Sequence, residues 1–461
     1  MRALLPLAAL IATAAAAVPP LPTGPDVNAL RDAALKDELA WELTEALTTE
    51  VGPRAAGSAA EARARDWAVA RLTALGFKNV RVEPFPINGW VRGEERAEVL
   101  APFPQPLTIT ALGNSGATPA AGFTGEVIGF SSLEALEAAP ASAVKGKIVF
   151  VTHRMAAMQD GSSYGPVGRI RRQGPTIASR KGAAAILIRS IGTDRHRNPH
   201  TGSQDWGEGA KPIPAAALSV PDAEQLERVL ARAGAPVRLK LTVTPRFVGK
   251  RTSGNVIAEV PGYDPSAGIV LVGGHLDSWD LGTGAIDDAA GVAITAAAAK
   301  RIMDAGQPRR TIRVVWFGAE EIGLVGGRAY LAAHRGDKHA AIAESDFGAD
   351  RVWRLDAKVS AAGVPVAARL AQALAPLGIV AGATDAASGS DIGPLSATGV
   401  PTFELQQDGT RYFDLHHTPD DTLDKIDPKQ LQQNVAAWTT LLAIVANDAT
   451  ELGPVPPTAA H

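Results

Sequence analysis

Five short stretches hold the residue types from which a hydrolytic metal centre can be made. The first, residues 273–291, begins Gly-Gly-His275-Leu-Asp277 and ends with Asp287-Asp288 before Gly291. An apolar run precedes it, so His275 and Asp277 are expected at the carboxyl end of a strand, where open α/β sheets place ligands. Residues two apart in extended chain face the same way, which would let the Asp277 carboxylate orient the His275 imidazole. Asp287 and Asp288 open the next helix, and each is either a ligand or an ordinary helix cap. The second stretch runs from another apolar strand into Glu320-Glu321. Adjacent side chains diverge, so one can hold a metal while the other faces a reacting water. The third is Glu344-Ser-Asp346, after a further apolar run, and the fourth is the loop His416-His-Thr-Pro-Asp-Asp-Thr422. A fifth, Ser388-Gly-Ser-Asp391, suits a substrate wall where Asp391 would meet a peptide ammonium, though a flexible turn with a capping acid is the plainer reading. Two imidazoles with three or four carboxylates can bind two adjacent zinc ions bridged by one carboxylate. Such a pair polarises a carbonyl and acidifies a water, and its natural reaction is amide hydrolysis.

The elements that must position these residues follow from apolar periodicity. Residues 29–50 and 59–75 carry helical spacing. Strand-like runs occur at 79–83, 107–110, 125–128, 147–151, 185–188 and 237–243, with a Gly/Ser/Arg/His-rich loop region at 159–211. From 253 onward strands at 269–272, 311–317, 341–344 and 401–404 alternate with helices, among them 288–305, and an amphipathic helix at 428–447 closes the chain. The pattern predicts an α/β fold with a mostly parallel sheet covered by helices. A β-rich domain is expected to interrupt it. The expected boundaries are a signal peptide at 1–17, a first catalytic part at 25–117, an inserted domain at 118–246, a metal-binding catalytic part at 247–450 and a tail at 451–461. The signal peptide rests on a basic start, a short apolar core and an alanine-rich exit, and makes the protein exported, to the periplasm or the medium.

Composition narrows the chemistry. Lysine and arginine total 45 against 48 acids, a net charge of -3, which gives no electrostatic case for nucleic acid or an anionic membrane as partner. Cysteine is absent, so disulfides, thiolate metal sites and thiol catalysis are excluded and any metal must be held by histidine and carboxylate. Gly282-Thr-Gly-Ala-Ile-Asp287 begins like a dinucleotide fingerprint but has aspartate at its third glycine position. Gly161-Ser-Ser-Tyr-Gly165 has the form of a nucleophile elbow without a strand leading into it. Arg169, Arg171 and Arg172 form a basic patch able to meet a substrate carboxylate, with solvated charge as the plainer reading. His153, His196 and His200 fall in the inserted region, where His200 either approaches the mouth of the site or, as the plainer reading, is a solvated loop histidine, and His334, His339 and His461 read as surface residues.

The 277–291 segment, the Glu-Glu pair, Glu344-Ser-Asp346 and the His-His-x-x-x-Asp-Thr loop resemble the co-catalytic zinc amino- and carboxypeptidases, in particular their carboxypeptidase Q branch. The similarity extends to 182–190 and to Pro199-His-Thr-Gly202, within what resembles a protease-associated inserted domain. The resemblance implies two zinc ions per chain, with Asp287 bridging them, His275 and Asp346 completing one site, and Glu321 and His417 the other. It implies Glu320 as general base. Aminopeptidase members carry tyrosine just before the last ligand; here it is His416, the candidate oxyanion donor. The implied substrate is a dipeptide or short peptide with free termini, and the implied assembly a homodimer. The alternatives are an aminopeptidase acting on longer peptides and, more distantly, a non-catalytic peptidase-like binding protein.

Overall fold

The computed structural model describes residues 26–386 and 389–457; the expected signal peptide, Ser388 and His461 lie outside them. Long uninterrupted runs of β-branched and aliphatic residues dictate the centre of the molecule. Ile269–His275, Thr311–Phe317 and His339–Glu344 are buried along nearly their whole length, as strands covered on both faces must be. With Thr402–Gln407 they form the parallel centre of an eight-stranded sheet. Toward one edge lie Arg246–Val260 and Lys78–Val91, and toward the other Val352–Lys358 and Val380–Ala381. Both flanks bring in antiparallel pairings, so the sheet is mixed where a mostly parallel one was expected. The cause is visible at one flank, where the chain leaves along Lys78–Val91 and returns beside it along Arg246–Val260 as a long ribbon. Val352–Lys358 is a strand that the periodicity left unassigned.

Helices seal this sheet. Ala290–Ala305 offers mostly alanine and glycine to its neighbours and is buried from Ala290 to Ala299. A wide turn, Ala285–Ala289, precedes it, so Asp288 stands before the helix and not within it. The closing helix Pro428–Val445 was expected to be amphipathic, yet it is buried continuously from Gln433 to Val445. Its buried polar residues find backbone partners: Gln433 bonds both the N–H and the C=O of Val352 at 2.9 and 2.8 Å, as buried amides require. Among the described residues no helix is long and apolar enough to cross a membrane.

Between the two strands of the ribbon the chain builds a second eight-stranded sheet. Its order is Gln105–Leu107, Glu95–Ala101, Arg238–Val243, Phe123–Phe130, Ile148–Val151, Ala185–Arg189, Ala215–Leu218 and Ile109–Ala111. The expected boundary at 117/118 therefore falls inside this sheet, because Glu95–Ala101 pairs with Arg238–Val243 and Ile109–Ala111 with Ala215–Leu218. The sheet is also not simply β-rich. Val220–Arg232 and Tyr164–Arg180 are full helices, the latter inside the expected loop region. Gly165, Gly168, Gly174 and Pro175 disguise that helix in sequence, but Val167, Ile170 and Ala178 give it a buried face, and burial outweighs intrinsic propensity.

Candidate active site

Four strand ends of the first sheet converge. His275 closes Ile269–His275 and is 1% exposed. Its Nδ1 faces the Asp277 carbonyl at 2.9 Å, while the Asp277 carboxylate is 3.8 Å away. The carboxylate accepts instead from the backbone N–H groups of Glu320 and Glu321, at 3.1 and 3.4 Å. Asp277 thus braces the glutamate turn with its carboxylate and bonds the imidazole through its backbone carbonyl, while the carboxylate keeps ion-pair distance to the same imidazole. The strand ends at His275, so the two-residue alternation does not extend to Asp277.

The two adjacent acids of the helix entry divide their work. Asp288 accepts from the N–H groups of His275 and Gly291, both at 3.0 Å, and is therefore a cap. Asp287 turns inward. Its Oδ1 stands 3.0 Å from His275 Nε2 and accepts from the Tyr412 hydroxyl at 3.1 Å. Its Oδ2 stands 3.4 Å from His417 Nε2 and 3.6 Å from His416 Nε2. Asp346 Oδ1 lies 3.4 Å from His275 Nε2, and Glu321 Oε2 lies 2.6 Å from His417 Nε2. Glu344 is turned away, taking the backbone N–H groups of Asp391 and Ile392. Asp391 accepts from Gly327 N–H at 3.0 Å, the capping alternative.

Residues far away in sequence hold this frame. The buried Arg54 donates to the carbonyls of Leu276, Thr283 and Gly284 at 2.5, 2.6 and 2.9 Å, pinning the loop between His275 and Asp287. Asp421 accepts from the N–H groups of Ala285 and Ile286 at 2.7 and 2.8 Å. Burial, and then Asp287, push its carboxyl up to about 7. Ala319 and His417 both hold left-handed backbone, with φ of 58° and 59°, a conformation that costs about 1–3 kcal/mol where the residue is not glycine.

The inserted sheet supplies the facing wall through Pro199-His-Thr-Gly202. The Thr201 carbonyl takes His417 Nδ1 at 3.2 Å, its hydroxyl accepts from Trp279 Nε1 at 2.7 Å, and the Trp279 ring stacks on His417. With Nδ1 so engaged, His417 keeps Nε2 for the centre. Gly202 has φ of 127°, and a Cβ there would meet Arg171 Nη1 at 2.0 Å and His417 Nδ1 at 2.7 Å; only glycine lets the loop come this close. His200, whose plainer reading was a solvated histidine, is 1% exposed and shares a 2.8 Å contact between its Nε2 and His416 Nδ1. Arg54, His200, Thr201 and Tyr412 are the working residues that sequence reasoning missed or passed over. The motif around Gly202 is the one signal that could have found two of them.

Electrostatics show what the centre lacks. Burial, and then Asp346 for Glu320 and Asp287 for Glu321, hold both glutamates well above the usual carboxylate range. Burial disfavours the His275 cation, yet Asp346 and Asp287 outweigh it and raise that imidazole well above its ordinary value. Among the described residues no lysine or arginine pairs with Asp287, Glu320, Glu321 or Asp346. Asp287 Oδ2 and Glu321 Oε1 are buried without a hydrogen-bond donor. Bare carboxylate oxygens in such numbers are costly unless a cation meets them. An all-nitrogen-and-oxygen donor set of two imidazoles and three carboxylates fits zinc. A cavity of about 480 Å³ opens over the centre, lined by Asp287, Glu320, Glu321, Asp346, His416 and His417 on one side and by Tyr164, Arg171, Arg172 and Gln204 on the other.

Comparison with known proteins shows the family and the fold. The model of peptidase family M28 matches residues 255–442. Carboxypeptidase Q of Bos taurus is 35% identical over 410 residues, covering 88% of this chain and 85% of that protein. The crystal structure of a peptidase M28 precursor from Shewanella amazonensis SB2B is similar at 46% identity with a TM-score of 0.91, covering 94% of this chain and 98% of that one. A zinc aminopeptidase from Bacillus subtilis, 20% identical with a TM-score of 0.64 over 91% of this chain and 97% of its own, shares the fold.

Proposed function

The chain belongs to peptidase family M28, and on that premise we propose that it is an exported di-zinc exopeptidase hydrolysing dipeptides or short peptides with free termini. One observation carries the reading of two metals. Asp287 turns its two oxygens to two different sets of donors, Oδ1 toward His275 and Oδ2 toward His417. In this reading His275 and Asp346 complete one zinc site, Glu321 and His417 the other, and Asp287 is shared. The orphaned oxygens of Asp287 and Glu321 support it, because they are buried without a hydrogen-bond donor and a cation would meet them. Export rests on the amino-terminal leader at 1–17, and the second sheet is read as the protease-associated-like domain.

With two zinc ions bound, the centre supplies Lewis acidity to the scissile carbonyl and makes an attacking water acidic enough to lose its proton near neutral pH. Glu320 accepts that proton and returns it to the leaving amine. Asp277 fixes the backbone of Glu320 and Glu321 so that the two carboxylates diverge toward different tasks. His416 serves as donor to the oxyanion, and the pairing with His200 supports this. His200 Nδ1 is buried without a partner, so its proton belongs on Nε2, where it donates to His416 Nδ1. That leaves the His416 proton on Nε2, facing the centre.

The test uses zinc-loaded mature protein and four substrates: a free dipeptide, its N-acetyl form, its C-terminal amide and a tetrapeptide. Release of amino acids from the free dipeptide, with the blocked forms cleaved poorly, is the expected result. Stepwise shortening of the tetrapeptide from its amino end, with ready cleavage of the amide, would make the protein an aminopeptidase instead.

A further inference from the structure

The cavity wall opposite the acidic strand ends carries positive charge. Arg171 and Arg172 reach it from the helix Tyr164–Arg180 of the inserted sheet. Arg171 is already engaged: it is 7% exposed, donates to the Thr201 carbonyl and lies over the Tyr164 ring. Arg172 is not. Its guanidinium is open to the cavity and donates to one carbonyl, that of Gly165, at 2.9 Å. Among the described residues no carboxylate lies within ion-pair distance of it, and its charged neighbours are Arg171 and, more weakly, Arg169. Two adjacent guanidiniums without an acid repel each other, and the open one has most of its donors to spare. Room is made for it on its own helix: a Cβ on Gly168 would stand 2.7 Å from Arg172 Nη1. Across the cavity the sign reverses. Asp346, Phe347 and Ser390 are shared with a second cavity of about 270 Å³ that also contains Asp160, whose carboxyl the Ser162 hydroxyl and N–H hold below its ordinary value. Charge thus runs from positive on the inserted wall, across the centre, to negative beyond it, in the sense of a zwitterionic peptide.

We infer that Arg172, with Arg171 behind it, receives the free α-carboxylate of the substrate and so selects peptides by their carboxyl terminus. The inference rests on the peptidase reading above and deepens it. Carboxylate binding by a guanidinium contributes chiefly to KM when it is the same in ground and transition states.

The experiment measures kcat and KM of the zinc-loaded enzyme on a free dipeptide and on its C-terminal amide. For Arg172→Gln, KM for the free dipeptide should rise about 10- to 100-fold, the scale of a charged hydrogen bond, with kcat within about threefold. The amide should be unaffected, so that the preference collapses, and Arg172→Lys should retain part of it. Gly168→Ala keeps the charge and favours the helix, yet it displaces the guanidinium and should produce the same loss in weaker form. An equal loss on both substrates, or an undiminished preference in Arg172→Gln, would overturn the assignment. If the wild-type enzyme with zinc bound cleaved no peptide at all, the peptidase reading itself would fall, which is a different outcome from a wild type that cleaves both substrates alike.

Discussion

The two walls of the cavity are built in opposite ways. On the strand-end wall, Asp287, Glu320, Glu321 and Asp346 crowd around His275 and His417 with bare oxygens and, among the described residues, no lysine or arginine to meet them. On the inserted wall the working groups are a carbonyl, a hydroxyl, a neutral imidazole and two guanidiniums, from Thr201, His200, Arg171 and Arg172. Burial, and then His417, keep His200 well below its ordinary value and hence uncharged. The first wall stores unfavourable charge that bound metal relieves. The second supplies direction, together with one open guanidinium. A centre of this kind needs both, since ligands aimed loosely bind weakly however many charges they carry.

Breaking the first wall should have the largest effect. Asp287→Asn keeps the shape but removes the charge shared between the two donor sets. Zinc content should fall below two per chain and kcat should drop on the order of 10³ or more, the scale of losing one charge-stabilising group in a catalytic centre. Metal analysis with steady-state kinetics checks both. Glu320→Gln separates metal from proton transfer within that wall: zinc content should stay at the wild-type level while kcat falls about 10²- to 10⁴-fold. A Glu320→Gln variant that loses zinc would make this residue a ligand instead.

The second wall is probed without touching a ligand. Gly202→Ala places a methyl group against Arg171 and His417 Nδ1, so zinc affinity should weaken about 10- to 100-fold, read by competition with a chelator. The smallest effect concerns how this wall is docked. The Asp414 carboxylate accepts from the Thr193 hydroxyl and the Asp194 N–H, at 2.8 and 3.1 Å, across the junction. Burial, and then Asp414, raise the Asp194 carboxyl from 3.8 to about 6. The folded state therefore prefers Asp194 protonated, and stability is lost as pH rises from about 3.8 through about 6. Asp194→Asn should raise Tm by about 1–2 °C above pH 6, after allowance for solvent screening, and the gain should fade toward pH 4. Thermal melts at both ends of that range test it.

The same contrast explains what could be read in the sequence. Each residue facing the centre from the first wall follows an apolar strand or opens a helix or loop beside one, so local pattern placed the stretches that hold His275, Asp287, Glu320, Glu321, Asp346 and His417 at strand ends, and the family resemblance singled these residues out. Which member of each adjacent pair faces inward was not local information. Asp287 and Asp288 differ in whether backbone N–H groups reach them, and Asp277 meets His275 more closely through its carbonyl than through its carboxylate because the strand stops two residues earlier. The second wall was nearly illegible. His200 and Thr201 matter only because a loop of the inserted sheet docks 216 positions away from its partners. Arg54 likewise bonds carbonyls more than 220 positions later. The helix that carries Arg172 was hidden behind three glycines and Pro175. Strand ends announce themselves through burial, whereas docked loops do so only through packing that no short window contains.

The most direct test of the two-metal centre is anomalous diffraction at the zinc edge from crystals of the zinc-loaded protein. Two peaks flanking the Asp287 carboxylate are expected, one reached by His275 and Asp346 and the other by Glu321 and His417, with Thr201 still accepting from His417 Nδ1. A single peak, or a peak held by the neighbouring His200, His416 and His417 cluster instead of the carboxylates, would contradict the account.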